Sequence, residues 1–334
     1  MNKIHTLIIA EAGVNHNGHL ETALELCKAA KDAGADVVKF QTWKTEKIIT
    51  QTVSQADYQK INTGKQESQF DMLKRLELSY DDFTKIKQYC DKIGIQFAST
   101  ADEEESFDFL VKLGIPFVKI SSGEITNIPY LRKMGASNLP IIISSGMATI
   151  SDIDNALRTL RNAGANDITL LHCTTNYPCP MEEVNLNAMI TLRDAFKIKV
   201  GYSDHTKGIE VPIAAVALGA TVIEKHFTLD CTLDGPDHKA STEPDEFKKL
   251  VETIRNIETA LGNGEKVPQK SEVDISKVVT KRCVAAKEIK AGDIITEANI
   301  CVKRNETGIP AKYWDLIIGT KAKRDYLINE AIEV

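Results

Sequence analysis

His205 and His226 each follow a short apolar run, one strand–helix unit apart, so both imidazoles can point into one site. Two imidazoles with further coordination positions open suit a catalytic divalent metal. The competing arrangement has one ring hydrogen-bonding a loop and the other packing in the core. Glu11 and Glu124 end two further runs, where a carboxylate works as a general base, reaches a metal through water, or simply pairs with Lys39 or Lys119. A second group comprises Lys39, Lys119, Ser122, Gly123, Ser144 and Ser203. Two ammonium groups, several hydroxyls and Gly-flanked backbone N–H groups make a phosphate cradle. A Schiff-base lysine is the alternative, but it needs apolar or cationic surroundings to lower its pKa, and these lysines neighbour Ser and Gly.

For these groups to meet, their runs must be neighbouring strands. Short β-branched stretches at 6–10, 37–40, 95–98, 117–120, 140–143, 168–171, 199–201 and 221–223 alternate with amphipathic segments at 20–33, 80–93, 106–113, 150–163, 185–195, 209–218 and 244–261. Gly34, Gly94, Gly114, Gly164, Gly219 and Gly262 follow helical stretches, as left-handed C-caps do, and Ser79 and Ser151 stand at helix starts. The alternation predicts a (β/α)8 TIM barrel over residues 1–262; a doubly wound sheet is the second choice, since GVNHNG lacks the spacing of a dinucleotide fingerprint. Catalytic groups of a barrel sit at the C-terminal strand ends. The runs end in Glu11, in Lys39 and Gln41, in Ser99-Thr100, in Lys119 with Ser121–Glu124, in Ser144–Gly146, in His172–Tyr177, in Ser203–His205 and in Glu224–His226. Polar groups at every strand end point to a site there.

A polar insertion at about 43–69 breaks the regularity, either as a substrate-contacting lid or as a tolerated surface loop. Residues 263–279 read as a turn-rich linker, and 280–334 as a small module with strands in CVAAKEI and KAGDIIT. Such a short module has a marginal core and is expected to lean on its own barrel or on a partner chain.

Composition limits the alternatives. A net charge of −6 argues against a nucleic-acid partner, and 43% hydrophobic residues exclude intrinsic disorder. Seven cysteines, an odd number without a C-x-x-C pair, read as reduced thiols of a cytoplasmic protein. The opening MNKIHTLIIAEAG is too short in apolar length for a secretory signal or a membrane span.

The motifs AEAGVNHNG (10–18), DVVKFQT (36–42), FVKISSGEITNIPYL (117–131), LHCTTNYP (171–178), VGYSDHTKGI (200–209), GATVIEKHFTLD (219–230) and GPDHKAS (235–241), in this order, resemble the sialic acid synthase family. AAKEIKAGDIITEANICVKR (285–304) resembles its antifreeze-like SAF domain. The resemblance implies condensation of phosphoenolpyruvate with an N-acetylated hexosamine, either N-acetylmannosamine or a 2,4-diacetamido-2,4,6-trideoxy hexose, with release of phosphate. It implies a domain-swapped homodimer and a divalent cation, Mn²⁺ with Mg²⁺ or Co²⁺ as alternatives, on His205 and His226. Lys39, Lys119, Ser122, Ser144 and Ser203 would hold phosphoenolpyruvate, and Glu11, Gln41, Tyr177, Asp237 and the Arg304 of a second copy would hold the sugar. Thr100, Gly123 and Thr175 stand beside them in the substrate site. Glu124 would be the general acid/base, with Glu11 and His226 completing the catalytic set. The chain departs from the family pattern in three places: Ala101-Asp102 where many members have Pro-Phe, Thr175-Asn176 within the H-C-T-N-x-Y-P stretch, and Asn305 where a Pro usually follows the arginine. Dispersed lysines in the insertion argue against a phosphorylated acceptor. Two rivals from other classes are a Schiff-base lyase and a carbohydrate- or ice-binding protein; the latter predicts a repeated Thr face, and the tail has only Thr280, Thr296, Thr307 and Thr320.

Overall fold

The computed structural model describes residues 5–55 and 67–333. Eight parallel strands close into a barrel in sequence order: β1 (Leu7–Gly13), β2 (Val37–Thr42), β3 (Gln96–Ala101), β4 (Val118–Ile120), β5 (Ile141–Ser144), β6 (Ile168–His172), β7 (Lys199–Asp204) and β8 (Val222–His226). The TIM barrel expected from the alternation is present. Several strands run two or three residues beyond the apolar runs, because the ladder continues while the side chains turn polar. Glu11 pairs with His226, Gln41 with Thr100, and Asp204 with Lys225.

Alternation along each strand sorts the side chains into two sets. Ile8, Ala10, Val38 and Phe40 belong to the large core shared with the surrounding helices. Ile9, Val37, Ala98, Phe117, Ile142, Leu171 and Val222 form a separate apolar cluster. The remaining strand, β7, contributes Gly201 at this level. A Cβ there would stand 2.4 Å from the Val222 carbonyl oxygen and 2.6 Å from Leu171 Cδ2. The helices are punctuated as expected in most places: Ser79 Oγ accepts from Asp82 N at 3.1 Å to open the helix Tyr80–Ile93, and Gly94 closes it at φ 74°. The helix Ile150–Ala163 is opened by Thr149 rather than Ser151, because Thr149 and Asp152 form a reciprocal capping box. The cysteines are free; Cys27 and Cys90 are buried with their sulfurs 3.4 Å apart.

Contacts divide the chain into residues 1–262 and 263–334. The second unit carries an antiparallel pair, β9 (Lys281–Ala285) with β10 (Ile300–Arg304), around a core of residues such as Cys283, Ile289, Ile300, Tyr326 and Ile332. Two expectations are corrected here. KAGDIIT is not a strand: Asp293 accepts from Lys290 N at 2.8 Å across a turn, and only single bridges at Ile289 and Ile294 remain. The stretch read as a linker includes the helix Glu272–Val279, opened by Gln269 N donating to Glu272 Oε2 at 2.7 Å. Among the described residues no helix is long and apolar enough to cross a membrane.

Candidate active site

One strand period above the apolar cluster, the barrel interior becomes ionised. Lys39 Nζ lies 2.6 Å from Glu11 Oε2, 3.6 Å from Glu224 Oε2, and donates to Thr100 Oγ1 at 2.9 Å. Lys119 Nζ donates to Ser144 Oγ at 2.8 Å and lies 3.5 Å from Glu224 Oε1, which also accepts from Ser203 Oγ at 2.9 Å. Gln41 Nε2 donates to Glu11 Oε1 at 2.9 Å. Burial acts on all of these charges. For Lys39 it lowers the pKa, but the fields of Glu11 and Glu224 outweigh it and leave the group raised. Glu11 is raised by burial against the pull of Lys39. Burial would raise Glu224 too, but Lys119 and Lys39 bring it down to about 2. The pairing of Glu11 with Lys39, foreseen as the simpler alternative for that carboxylate, is thus present inside the site itself.

The next residues along β7 and β8 form the mouth. His205 and His226 stand with ring centroids 5.4 Å apart, and the Tyr177 ring lies 4.1 Å from the first and 5.3 Å from the second. His205 Nδ1 donates to the Thr174 carbonyl oxygen at 2.6 Å, leaving Nε2 as its lone-pair nitrogen. His226 Nδ1 is buried without a hydrogen bond, 3.7 Å from Asp237 Oδ2. Burial lowers the pKa of both rings, and His205 depresses His226 further, so both are neutral and able to act as ligands. Burial and the nearby Glu11 raise Asp237 to about 7. The residues preceding the two histidines clamp the strand ends: Lys225 Nζ donates to Asp204 Oδ2 at 2.5 Å and to the Thr206 carbonyl at 2.9 Å. Among the described residues no group of three or more His, Cys, Asp or Glu side chains is arranged to enclose a metal.

These groups line a cavity of about 410 Å³, within the range of small-molecule sites. Of the expected residues, Glu11, Lys39, Gln41, Thr100, Lys119, Ser122, Gly123, Ser144, Thr175, Tyr177, Ser203, His205, His226 and Asp237 share this lining. Gly146 lets two of them approach, since a Cβ there would stand 2.1 Å from Thr175 Oγ1 and 2.8 Å from Ser122 Oγ. Glu124 is not part of the lining; its Oε2 accepts from Asn127 Nδ2 at 2.6 Å. Arg304 ends β10 in the second unit, exposed and without a partner among the described residues. Two acids to which the sequence assigns no role, Glu224 and Asp102, also line the cavity. The strand alternation holds the signal for both: Glu224 follows Val222 by two residues, and Asp102 follows Ala98 and Thr100 in steps of two. Of the polar insertion, residues 56–66 lie outside the described residues. At its far edge Gln69 opens the helix Gln69–Leu76, which lines the cavity with Met72, Leu73 and Leu76.

The profile of the NeuB family matches residues 26–266, and that of the SAF domain matches residues 283–332. An N,N'-diacetyllegionaminic acid synthase of Campylobacter jejuni is 50% identical over 329 residues, covering 98% of each chain. A protein of the same description from Legionella pneumophila is 47% identical over 318 residues, covering 94% of this chain and 89% of its own. The crystal structure of N-acetylneuraminic acid (sialic acid) synthetase from Leptospira borgpetersenii, in complex with citrate, superposes with a TM-score of 0.72 at 35% identity, covering 82% of this chain and 92% of that one.

Proposed function

The chain belongs to the NeuB family, and from that membership we propose that it condenses phosphoenolpyruvate with a 2,4-diacetamido-2,4,6-trideoxy hexose to give N,N'-diacetyllegionaminate and phosphate. The observation that carries this reading is the ionised layer, where two lysines and several hydroxyls face one cavity below a pair of neutral imidazoles. The two relatives named above support the choice of sugar over N-acetylmannosamine.

Lys39 with Thr100, and Lys119 with Ser144, offer paired donors to the phosphate and carboxylate of phosphoenolpyruvate; Ser122 and Ser203 complete the cradle. Gln41, Tyr177 and Asp237, at the mouth, orient the acceptor so that its aldehyde carbon meets C3 of the enol. Carbon–carbon bond formation leaves positive charge at C2, water adds there, and cleavage of the C–O bond releases phosphate. Glu11 and Glu224, next to the lysines, stabilise that positive charge. Glu124, outside the lining but next in sequence to the lining residues Ser122 and Gly123 and oriented by Asn127, is the proposed proton-transfer group. The neutral His226, its buried Nδ1 without a hydrogen bond, and the oriented His205 fit a divalent cation, for which Mn²⁺ is proposed. When bound, it supplies Lewis-acid polarisation of the acceptor carbonyl. A Schiff-base lyase would need an amine with a depressed pKa, whereas Lys39 is moved upward.

Phosphate release from phosphoenolpyruvate with Mn²⁺, measured with each sugar and with chelator, tests the reading. Chelator-sensitive release with the 2,4-diacetamido sugar is expected; release with neither sugar overturns it, and borohydride trapping with pyruvate then tests the lyase. We further propose a domain-swapped homodimer in which the exposed Arg304 reaches the acceptor in its partner's barrel. Arg304→Ala is then expected to raise the acceptor KM about tenfold with bound metal retained, as a lost charged hydrogen bond does. An unchanged KM removes Arg304 from the site.

A further inference from the structure

Most acids of the cavity have partners. Glu11 is held by Lys39 and Gln41, Glu224 by Ser203 between the two lysines, and Asp237 stands beside His226. Asp102 differs: it lines the cavity, and among the described residues its carboxyl has neither a hydrogen bond nor an ion pair. Its backbone is nevertheless fixed. Asp102 N donates to the Thr42 carbonyl at 3.1 Å, and the Tyr130 hydroxyl lies 2.9 Å from the Ala101 carbonyl oxygen and 3.0 Å from that of Glu103. The following Glu103 caps the helix Glu104–Leu113, accepting from Ser106 N at 2.9 Å. A carboxyl displayed on a pinned backbone and left without a protein partner is arranged to meet something that enters the cavity.

Charge decides which substrate that is. Phosphoenolpyruvate is an anion that the lysine–hydroxyl pairs suit; Glu11 and Glu224 already offset the charge of those lysines, so a further carboxyl without a pairing cation works against it. The sugar is neutral and carries O–H and N–H donors. Burial and the field of Glu124, opposed by Lys39 and Lys119, raise Asp102 to about 7, so near neutral pH it both accepts and donates hydrogen bonds.

The cavity also has an apolar wall. Val14 and the helix residues Met72, Leu73 and Leu76 line it, with Met72 and Leu76 packed against Trp43 beneath. A wall of this kind has no use for phosphoenolpyruvate or for a hydroxymethyl group, but it suits methyl groups. The 2,4-diacetamido-2,4,6-trideoxy hexose carries three methyl groups, two in its acetamido groups and one at C6; N-acetylmannosamine carries one.

We infer that acceptor selectivity resides in this pair of features: Asp102 binds an O–H or N–H of the sugar, and the wall of Val14, Met72, Leu73 and Leu76 receives its extra methyl groups. The inference rests on the synthase reading above and narrows it. Burial of one further methyl group in a matched pocket changes kcat/KM by about 10–200-fold, and loss of a polar contact made to a substrate donor changes it by more.

The test is steady-state kinetics of phosphate release from the Mn²⁺-loaded enzyme with each sugar, for the wild type, Leu73→Ser and Asp102→Asn. Leu73 is only partly buried and Asn matches Asp in shape, so both variants keep the fold; thermal melting verifies this. The wild type is expected to prefer the 2,4-diacetamido sugar. Leu73→Ser lowers the ratio of kcat/KM for that sugar over N-acetylmannosamine about tenfold, and Asp102→Asn raises the acceptor KM at least tenfold with the phosphoenolpyruvate KM within about twofold. Wild-type turnover with a ratio untouched by Leu73→Ser, or an Asp102→Asn effect confined to phosphoenolpyruvate, overturns the inference and leaves the synthase reading intact. A folded wild type inert with both sugars removes the synthase reading itself.

Discussion

Two adjacent levels of the same barrel obey opposite rules. At the lower level, Ile9, Val37, Ala98, Phe117, Ile142, Leu171 and Val222 fill the interior with hydrocarbon. Two residues further along the same strands stand Glu11, Lys39, Thr100, Lys119, Ser144, Cys173 and Glu224, all buried and four of them ionisable acids or lysines. The same closed barrel carries both levels and both are buried, so backbone geometry does not account for the change. The apolar level removes surface from water and stabilises the fold by about 25 cal/mol per Å² of apolar area. The ionised level has to desolvate charges, and buried pairs of this kind seldom exceed a hydrocarbon replacement in stability. The barrel interior therefore separates a layer that holds the fold from a layer that holds a ligand. The second is tolerated because the first, and the helices outside, carry the stability.

The largest effect expected from this contrast follows Lys39→Met. Glu11 loses its 2.6 Å partner and is left as a buried, uncompensated charge, which costs about 3–5 kcal/mol of stability. The double variant Lys39→Met with Glu11→Gln is expected to recover that loss in a denaturant titration while remaining inactive. If the double variant stays as unstable as the single one, the pair is structural and the contrast between levels fails. A smaller effect belongs to the lower level. Gly201→Ala forces a methyl group toward the Val222 carbonyl oxygen and Leu171, and overpacking of this kind costs about 1–3 kcal/mol. Its signature is a lowered Tm with kcat/KM per folded molecule nearly unchanged; a Tm equal to wild type would mean the lower level is loosely packed.

The same two levels explain what could be read in advance. The barrel and most of its site were legible because apolar runs mark the lower level and the residues just after them mark the upper one. The strand ends were underestimated because hydrophobicity stops where the ladder does not: β8 continues through Glu224 to His226, and β7 through Asp204. The apolar run alone stops at Ile223, so Glu224 reads as a strand-end group, whereas its inward position two residues after Val222 follows only from the longer strand. Asp102 stands out in the sequence only as a departure from a family pattern, although it continues the inward series Ala98, Thr100. In the C-terminal unit the isoleucines of KAGDIIT imitate a strand, but the Lys290–Asp293 turn, with Gly292 at φ 91°, interrupts it. The position of Glu124 outside the lining was not legible at all, since it depends on a side-chain hydrogen bond to Asn127 within a short turn of 3-10 helix.

The smallest effect sharpens the contrast most directly, because it measures a charge in the ligand-holding part of the barrel without removing an atom. Asp102 faces Glu124, Glu11, Lys39, Lys119 and Tyr130, and its carboxyl is raised from the ordinary 3.8 to about 7, by burial first and by Glu124 second. Below 3.8 the folded and unfolded chains both carry the proton; between 3.8 and about 7 the folded chain binds it more tightly; above 7 the folded chain bears the full cost of the ionised group. Asp102→Asn, which resembles the protonated form, is therefore expected to melt above the wild type at pH 8, by about 2 °C for a group that water partly reaches. The difference shrinks as the pH falls through 7 and vanishes near 4. Comparing the two proteins at each pH cancels the buried histidines, whose lowered pKa values, about 4 for His16 and His238, act in the opposite sense to Asp102 but equally on both proteins. A variant that melts at or below the wild type at pH 8 would show that the Asp102 carboxylate is stabilised in the folded chain, and that charge at this level of the barrel carries no stability cost.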